Sequence, residues 1–119
     1  MVKLILLASR KADTSREEFR AYYEQVHAPL AASVMKHCTR YVRNFVAEEP
    51  SGAFGYDVLT EFWFDSEGPW SERRRETASD DVAALLAEDE ARFMDRASMR
   101  IAIVREAESS PALLLGNRA

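Results

Sequence analysis

Two residues of this 119-residue chain are candidates for proton-transfer chemistry, His27 and Asp89. His27 follows a run of aromatic side chains, and Asp89 stands where a helical pattern predicts an apolar residue. An imidazole titrates near neutral pH, and a carboxylate bonded to it sets its tautomer. Such a pair is suited to general acid–base catalysis. Whether the two side chains meet depends on the elements that carry them.

The stretch Thr14–Leu30 predicts the first helix. Ser15 and Glu18 form a capping-box pattern at its start. Pro29 lacks an N–H, so we expect the helix to kink or stop just past His27, which places the imidazole at a helix C-terminal end. There it either carries protons or only caps the helix dipole. The core-facing stripe has helical spacing and comprises Phe19, Tyr22, Tyr23, Val26 and Leu30.

A second amphipathic helix is predicted over 79–96, and Asp89 lies about 20° from the middle of its apolar stripe at 100° per residue. The stripe comprises Val82, Leu85, Leu86 and Phe93. Burying a carboxylate is costly unless it is paired, protonated or hydrated. One explanation is an ion pair with Arg40, Arg43 or Arg96, or a helix that rolls Asp89 into water. The other is an acid or base lining a pocket between helices and sheet, its pKa raised by burial.

Strands are predicted at 2–9, 39–47, 56–64 and 98–107, so the element order is β-α-β-β-α-β. This order is that of the ferredoxin-like α+β fold, with two helices on one face of a four-stranded antiparallel sheet. The other face has Leu, Val or Ile positions on every strand, and a homodimer packed sheet against sheet would cover it. We expect one domain over 1–107. A C-terminal tail over 108–119 would dock its leucines on the partner subunit.

The third strand predicts two distinct faces. Asp57, Leu59, Glu61 and Trp63 alternate with Tyr56, Val58, Thr60, Phe62 and Phe64. Asp57 and Glu61 either form ion pairs with arginines on neighbouring strands, or Glu61, beside Trp63, orients a ligand. The alternation leaves open whether Glu61 faces the pocket or the dimer interface. Tyr23 and Tyr41 either polarise a substrate carbonyl or bury their rings with the hydroxyls at the edge of the core. Phe19, Trp63 and Phe93 are expected to form the apolar wall of a pocket.

The composition excludes several functions. A net charge of −4 gives no basic footprint for nucleic acid, and no apolar run is long enough to span a membrane. The one cysteine, Cys38, favours a reducing, cytoplasmic location. His27, His37 and Cys38 lack metal-ligand spacing, and four glycines form no phosphate loop, so we expect no metal and no cofactor. The run Arg73–Arg75 in a predicted short surface helix at 66–78 is either solvated or a lid over an anionic substrate.

Three blocks of the sequence resemble the EthD family of dimeric α+β-barrel proteins: SREEFRAYYEQVHAPL, YDVLTEFWF and AEDEARFMD. The resemblance extends from Val2 to about Glu106. It implies the ferredoxin-like fold and a homodimer. The wider superfamily includes muconolactone-type isomerases, polyketide cyclases and cofactor-free monooxygenases. His27, Glu61 and Asp89 fall at positions that match the family's motif, although this fold hosts many chemistries.

The sequence therefore predicts a cofactor-independent enzyme that moves protons on a small apolar carbonyl or aromatic compound. His27 would be the general acid–base, with Asp89 as its orienter or as a second acid. Two alternatives stay open: a non-catalytic protein that binds such a compound or supports a partner enzyme, and a cofactor-free monooxygenase.

Overall fold

The computed structural model describes residues 1–65 and 80–117. Neighbouring strands of its sheet are all antiparallel, in the order β2-β3-β1-β4. This is the predicted ferredoxin-like arrangement. The elements are β1 (Val2–Arg10), α1 (Arg16–Tyr22), a π-helical turn (Tyr23–His27), α2 (Ala28–Val34), β2 (Cys38–Phe45), β3 (Val58–Phe64), α3 (Asp80–Glu90), β4 (Met94–Val104) and two 3₁₀ turns (Pro111–Leu113 and Leu115–Asn117).

The strand register separates the two faces of the sheet. Leu6 pairs with Thr60 of β3 and with Ile101 of β4, and these residues face the helices. Lys3 pairs with Trp63, on the opposite, open face. The hydrophobic core lies between the sheet and the helices, where the most deeply buried side chains are Tyr23, Phe19, Phe93, Val58 and Thr60.

The first helical region begins as predicted. The Glu18 N–H donates to Ser15 Oγ at 3.1 Å, and the Ser15 N–H donates to Glu18 Oε1 at 3.3 Å. The predicted stop at Pro29 was wrong, because the backbone stays helical to Val34. The helix is instead irregular just before the proline, in the π turn Tyr23–His27. Pro29 takes a first-turn position of α2, where an N–H is not required.

The π turn also changes which residues face the core. The Ala28 N–H donates to the Tyr23 carbonyl, five residues back, so this turn holds one extra residue. In an α-helix, side chains four positions apart point in directions that differ by about 40° around the helix axis. The extra residue in the π turn reduces this difference. His27 therefore lies in the buried stripe, inside a helical segment rather than at its C-terminal end. Val26, predicted to be in the stripe, is 42% exposed.

The second helix is shorter than predicted. It ends at Glu90, and a turn with Phe93 N–H donating to the Glu90 carbonyl leads into β4 at Met94, four residues before the predicted strand. The Lys11 N–H donates to the Phe93 carbonyl at 2.8 Å, so pairing with β1 overrides the helical pattern. Leu85 was also misplaced, since it is 40% exposed.

The predicted surface helix and the predicted C-terminal tail have different outcomes. The short surface helix at 66–78, with Arg73–Arg75, lies outside the described residues. The tail beyond β4 carries two short 3₁₀ turns with exposed leucines. None of the helices described is long and apolar enough to cross a membrane.

Candidate acid–base site

His27 and Asp89 are in direct contact. His27 Nδ1 lies 2.8 Å from Asp89 Oδ2, and both residues are 4% exposed. The π turn presents the imidazole, and the last turn of α3 presents the carboxylate. The sequence predicted that these side chains enter the same layer between helices and sheet, and their contact is confirmed. Their catalytic role stays a prediction.

Tyr22 forms a hydrogen bond with the second oxygen of the Asp89 carboxylate. Its hydroxyl donates to Asp89 Oδ1 at 2.7 Å, so each carboxylate oxygen accepts a short hydrogen bond. The Arg92 guanidinium lies 3.7 Å from the same Oδ1, one helical turn along the chain. Its side chain is more than half exposed, so it adds positive charge without locking the carboxylate in a bidentate pair.

The predicted arginine partners of Asp89 were wrong. Arg43 Nε donates to Glu24 Oε1 at 2.9 Å and so connects β2 to the π turn. Arg96 Nε donates to Glu90 Oε1 at 3.2 Å. Arg40 lies over the Trp63 ring on the open face. The partners of Asp89 among the described residues are thus an imidazole, a phenol and a half-exposed guanidinium.

The charge state of Asp89 also differs from the prediction. Burial by itself raises the pKa of this carboxyl, but the hydrogen bonds from Tyr22 and His27 outweigh burial and hold the pKa below its usual value. Asp89 is therefore ionised at neutral pH and acts only as an acceptor. The expectation of a raised pKa was wrong, and a lowered pKa favours an orienting role over that of a second acid, although both roles stay predictions. An orienting role fits its charge.

An ionised Asp89 determines the tautomer of His27. Because the carboxylate cannot donate, the imidazole carries its proton on Nδ1, and a neutral imidazole has a free lone pair on Nε2. Among the described residues Nε2 has no hydrogen-bond partner, and it is not one of their fully buried unpartnered polar atoms. The His27 side chain as a whole is only 5% exposed, so the access of an external molecule to Nε2 stays a prediction.

Aromatic rings enclose the imidazole. The Phe93 ring centroid lies 5.0 Å from that of His27, 4.9 Å from Tyr22 and 5.3 Å from Tyr23. Phe19 lies 5.4 Å from Phe93. The turn after α3 places Phe93 at the centre of this group. Phe19 and Phe93, predicted as pocket walls, are thus both brought to the His27 side of the sheet.

Tyr23 and Tyr41 form a second hydrogen-bonded chain. Tyr23 Oη lies 2.7 Å from Thr60 Oγ1, and the Tyr41 hydroxyl donates to Tyr23 Oη at 3.4 Å. Burial raises the pKa of both phenols above the ordinary value, so both remain protonated. Tyr23 is fully buried with its hydroxyl engaged, which favours a structural role. Tyr41 is only partly buried and lines a depression of about 160 Å³ with Cys38 and Met35.

Glu61 and Trp63 do not join this site. They lie on the open face of the sheet, and the thickness of the sheet separates them from His27. Glu61 Oε1 is 2.7 Å from Lys3 Nζ, and that ammonium lies 4.5 Å from the centre of the Trp63 ring. The expectation that Trp63 forms one pocket wall with Phe19 and Phe93 was wrong. Glu61 pairs with a lysine rather than with the expected arginine.

The sequence analysis missed three polar residues near the site. Tyr22 was assigned only to the apolar stripe, although a phenol next to a buried carboxylate is a natural donor. Arg92 follows Asp89 by three residues, a spacing that brings side chains together on a helix. Glu90 is largely buried, and this burial raises its pKa, although charge from His27 and the bond from Arg96 oppose the shift.

Two depressions lined by described residues lie away from His27. One of about 230 Å³ lies between α1 and the end of β2, next to Phe19 and Phe45. Another, of about 690 Å³, lies at the end of the sheet near Trp63. The predicted shared cavity at His27 and Asp89 is not among them, so it stays a prediction.

The fold and the site together define a ferredoxin-like α+β protein with a histidine–aspartate pair between its helices and its sheet. The model of the EthD domain matches residues 11–97, which include both members of the pair. The chain belongs to the EthD family.

Solved structures agree on the fold. An EthD family protein from Bacillus halodurans is 21% identical, with a TM-score of 0.65 over 90% of this chain and 99% of its own. An EthD-like protein from Ralstonia eutropha is 17% identical, with a TM-score of 0.62 over 96% and 93%. A protein of unknown function from Bacteroides fragilis, described as dimeric with a ferredoxin-like fold, is 12% identical with a TM-score of 0.59 over 88% and 95%. No curated protein matched the chain significantly.

Proposed function

We propose that the protein is a homodimeric, cofactor-independent enzyme that transfers protons on a small apolar carbonyl or aromatic compound. The observation that carries the proposal is the His27–Asp89 pair, with Asp89 ionised and Nε2 of His27 unpartnered among the described residues. Two charged or titratable groups held inside an aromatic core are costly for stability, and a proton-transfer role explains their presence.

The geometry supports a division of roles. Nε2 of His27 would take a proton from a carbon next to the substrate carbonyl, and the imidazolium so formed would be stabilised by the Asp89 carboxylate 2.8 Å from Nδ1. Return of that proton to a different carbon completes an isomerisation with no net change in atoms or electrons. Tyr22 and Arg92 hold the carboxylate, so they are positioning residues.

A test that needs no knowledge of the natural substrate is α-proton exchange. Purified protein is incubated in D₂O with a panel of small cyclic ketones and lactones, and loss of the α-proton signal is followed by NMR. We expect exchange above the buffer rate with at least one compound, and His27→Ala should lower that rate by about 10²–10⁴-fold. Glu48→Ala removes an exposed carboxylate from the loop after β2, away from the pair; it is the matched control and should exchange at the wild-type rate.

The two alternative functions predict other results. A binding protein would bind a compound equally well with and without His27 and would catalyse no exchange. A cofactor-free monooxygenase would consume dissolved oxygen together with a compound of the panel, which an oxygen electrode measures. Either result would overturn the proton-transfer proposal.

The homodimer has its own support. The open face carries apolar residues on all four described strands, with Ile5 on β1, Val42 on β2, Leu59 on β3 and Val104 on β4. A relative of the same fold is described as dimeric. Sedimentation velocity at micromolar concentration should give twice the mass of the 119-residue chain, and a monomer would refute this part of the proposal.

A further inference from the structure

The C-terminal segment Pro111–Asn117 is an apolar arm. Its two 3₁₀ turns contact each other. Leu114 is 50% exposed and Leu115 is 83% exposed, and they lie beyond the region that the EthD domain model matches. Leaving large aliphatic side chains in water on a structured segment is unfavourable unless another surface covers them.

The chain between β4 and the arm, which we call the root of the arm (residues 105–110), begins on the open face of the sheet. Glu106, two residues after β4, accepts a hydrogen bond from Trp63 Nε1 at 2.9 Å. Its carboxylate is also 3.4 Å from Lys3 Nζ. These contacts cross from the edge strand β4 over β1 to β3, so the chain leaves the sheet on the side that a second subunit would cover.

A depression of about 690 Å³ adjoins this root. Its lining is partly apolar and partly charged: the apolar side chains are those of Met1, Val2, Trp63, Ile103 and Val104, and the charged ones are those of Lys3, Arg105 and Glu106. The subunit's own arm leaves the depression unfilled. The depression adjoins the face that a second subunit would cover in the proposed homodimer.

We infer that the arm docks on a second copy of this chain, with Leu114 and Leu115 entering the partner's depression. The reach is sufficient: stacked sheets lie about 10 Å apart, and the six residues from Arg105 to Ser110, which precede the first 3₁₀ turn, span up to about 20 Å. Two-fold symmetry would repeat the contact, so each subunit gives one arm and receives one. The inference rests on the homodimer of the proposed function and not on its chemistry.

The test places a photoreactive benzophenone amino acid at position 114 of the full chain. After irradiation, a denaturing gel separates cross-links between subunits from cross-links within one, and mass spectrometry maps the attached peptide. We expect a band at twice the chain mass, with attachment at residues 1–3, at Trp63 or at residues 103–106. Cross-linking within one subunit only, or attachment elsewhere, would overturn the docking.

Sedimentation separates failure of the arm from failure of the dimer. The double variant Leu114→Ser/Leu115→Ser should raise the dimer dissociation constant by ~10²-fold, as expected for two leucines left unburied. Leu85→Ser removes an exposed leucine from α3 and should leave the dissociation constant unchanged. An unchanged constant in the double variant refutes the arm but keeps the homodimer, whereas a monomeric wild type refutes both.

Discussion

Replacing Asp89 with alanine tests the energetic role of the buried pair. The carboxylate accepts hydrogen bonds of 2.7 Å from Tyr22 and 2.8 Å from His27. A hydrogen bond to a charged group contributes about 1.5–3 kcal/mol, and removing one member of a buried pair costs about 3–5 kcal/mol. Tyr22 is partly exposed and can turn toward water, whereas the buried His27 cannot. We therefore expect Asp89→Ala to lower the free energy of unfolding by about 3–5 kcal/mol.

The isosteric substitution Asp89→Asn separates the effect of Asp89 on stability from its effect on the tautomer of His27. The amide oxygen can still accept from Tyr22, so the expected loss is only about 1–2 kcal/mol. The amide nitrogen, however, donates to Nδ1 of His27 and moves the imidazole proton to Nε2. Proton exchange should therefore fall about as far as in His27→Ala, although the fold is largely retained.

Urea unfolding at pH 7, followed by circular dichroism, measures both losses. Glu88→Ala is the control and should stay within about 0.5 kcal/mol of wild type, as is usual for a surface substitution. The slopes against urea should be the same in all variants. A loss below about 1 kcal/mol for Asp89→Ala would refute the claim that this carboxylate is buried and bonded as described.

The pH dependence of Asp89→Ala follows from the sign of the shift. The folded pKa of Asp89 lies below its unfolded value, so its stabilising contribution is complete above about pH 3.9 and is lost as the pH falls through the folded pKa. The difference between wild type and Asp89→Ala should therefore shrink in acid. A difference that is constant down to the lowest pH at which the protein stays folded would contradict the assignment.

Three further substitutions test other contacts. Thr60→Val removes the buried bond to Tyr23 and should lower the free energy of unfolding by about 1–3 kcal/mol in urea titrations, whereas a neutral result would place the Tyr23 hydroxyl elsewhere. Glu90 has a raised folded pKa, so wild-type stability should fall as the pH rises from about 4.3, and thermal unfolding of Glu90→Gln should lack this fall. Ser15→Ala should cost about 1 kcal/mol of unfolding free energy, and no loss would refute the capping box.

The order and type of the elements could be predicted because they depend on local patterns. Residues close together in the chain form each of these patterns: the capping box, the alternation in 56–64 and the apolar run of β1. The burial of Asp89 could be inferred for the same reason, since its position relative to the apolar stripe follows from helical geometry. The pairing of His27 with Asp89 was a further inference. It was made because the stripes of both predicted helices face the layer between the helices and the sheet.

The errors arose where distant residues override a local preference. Phe93 fits a helical stripe, yet strand pairing with Lys11 ends the helix before it. The face of β3 that meets the helices follows from its partners on β1, so Glu61 and Trp63 could not be assigned to a side from alternation alone.

The sequence by itself determined the order of the elements, and with it the fold class, and the position of Asp89 on the apolar stripe of a helix, because both follow from short-range periodicity. Only the tertiary structure decided that the helix passes Pro29 through a π turn, and this turn carries His27 into the core. Only the tertiary structure, too, determined the charge of Asp89. Its pKa depends on two donors that lie 62 and 67 positions away in the chain, and no local pattern records such partners.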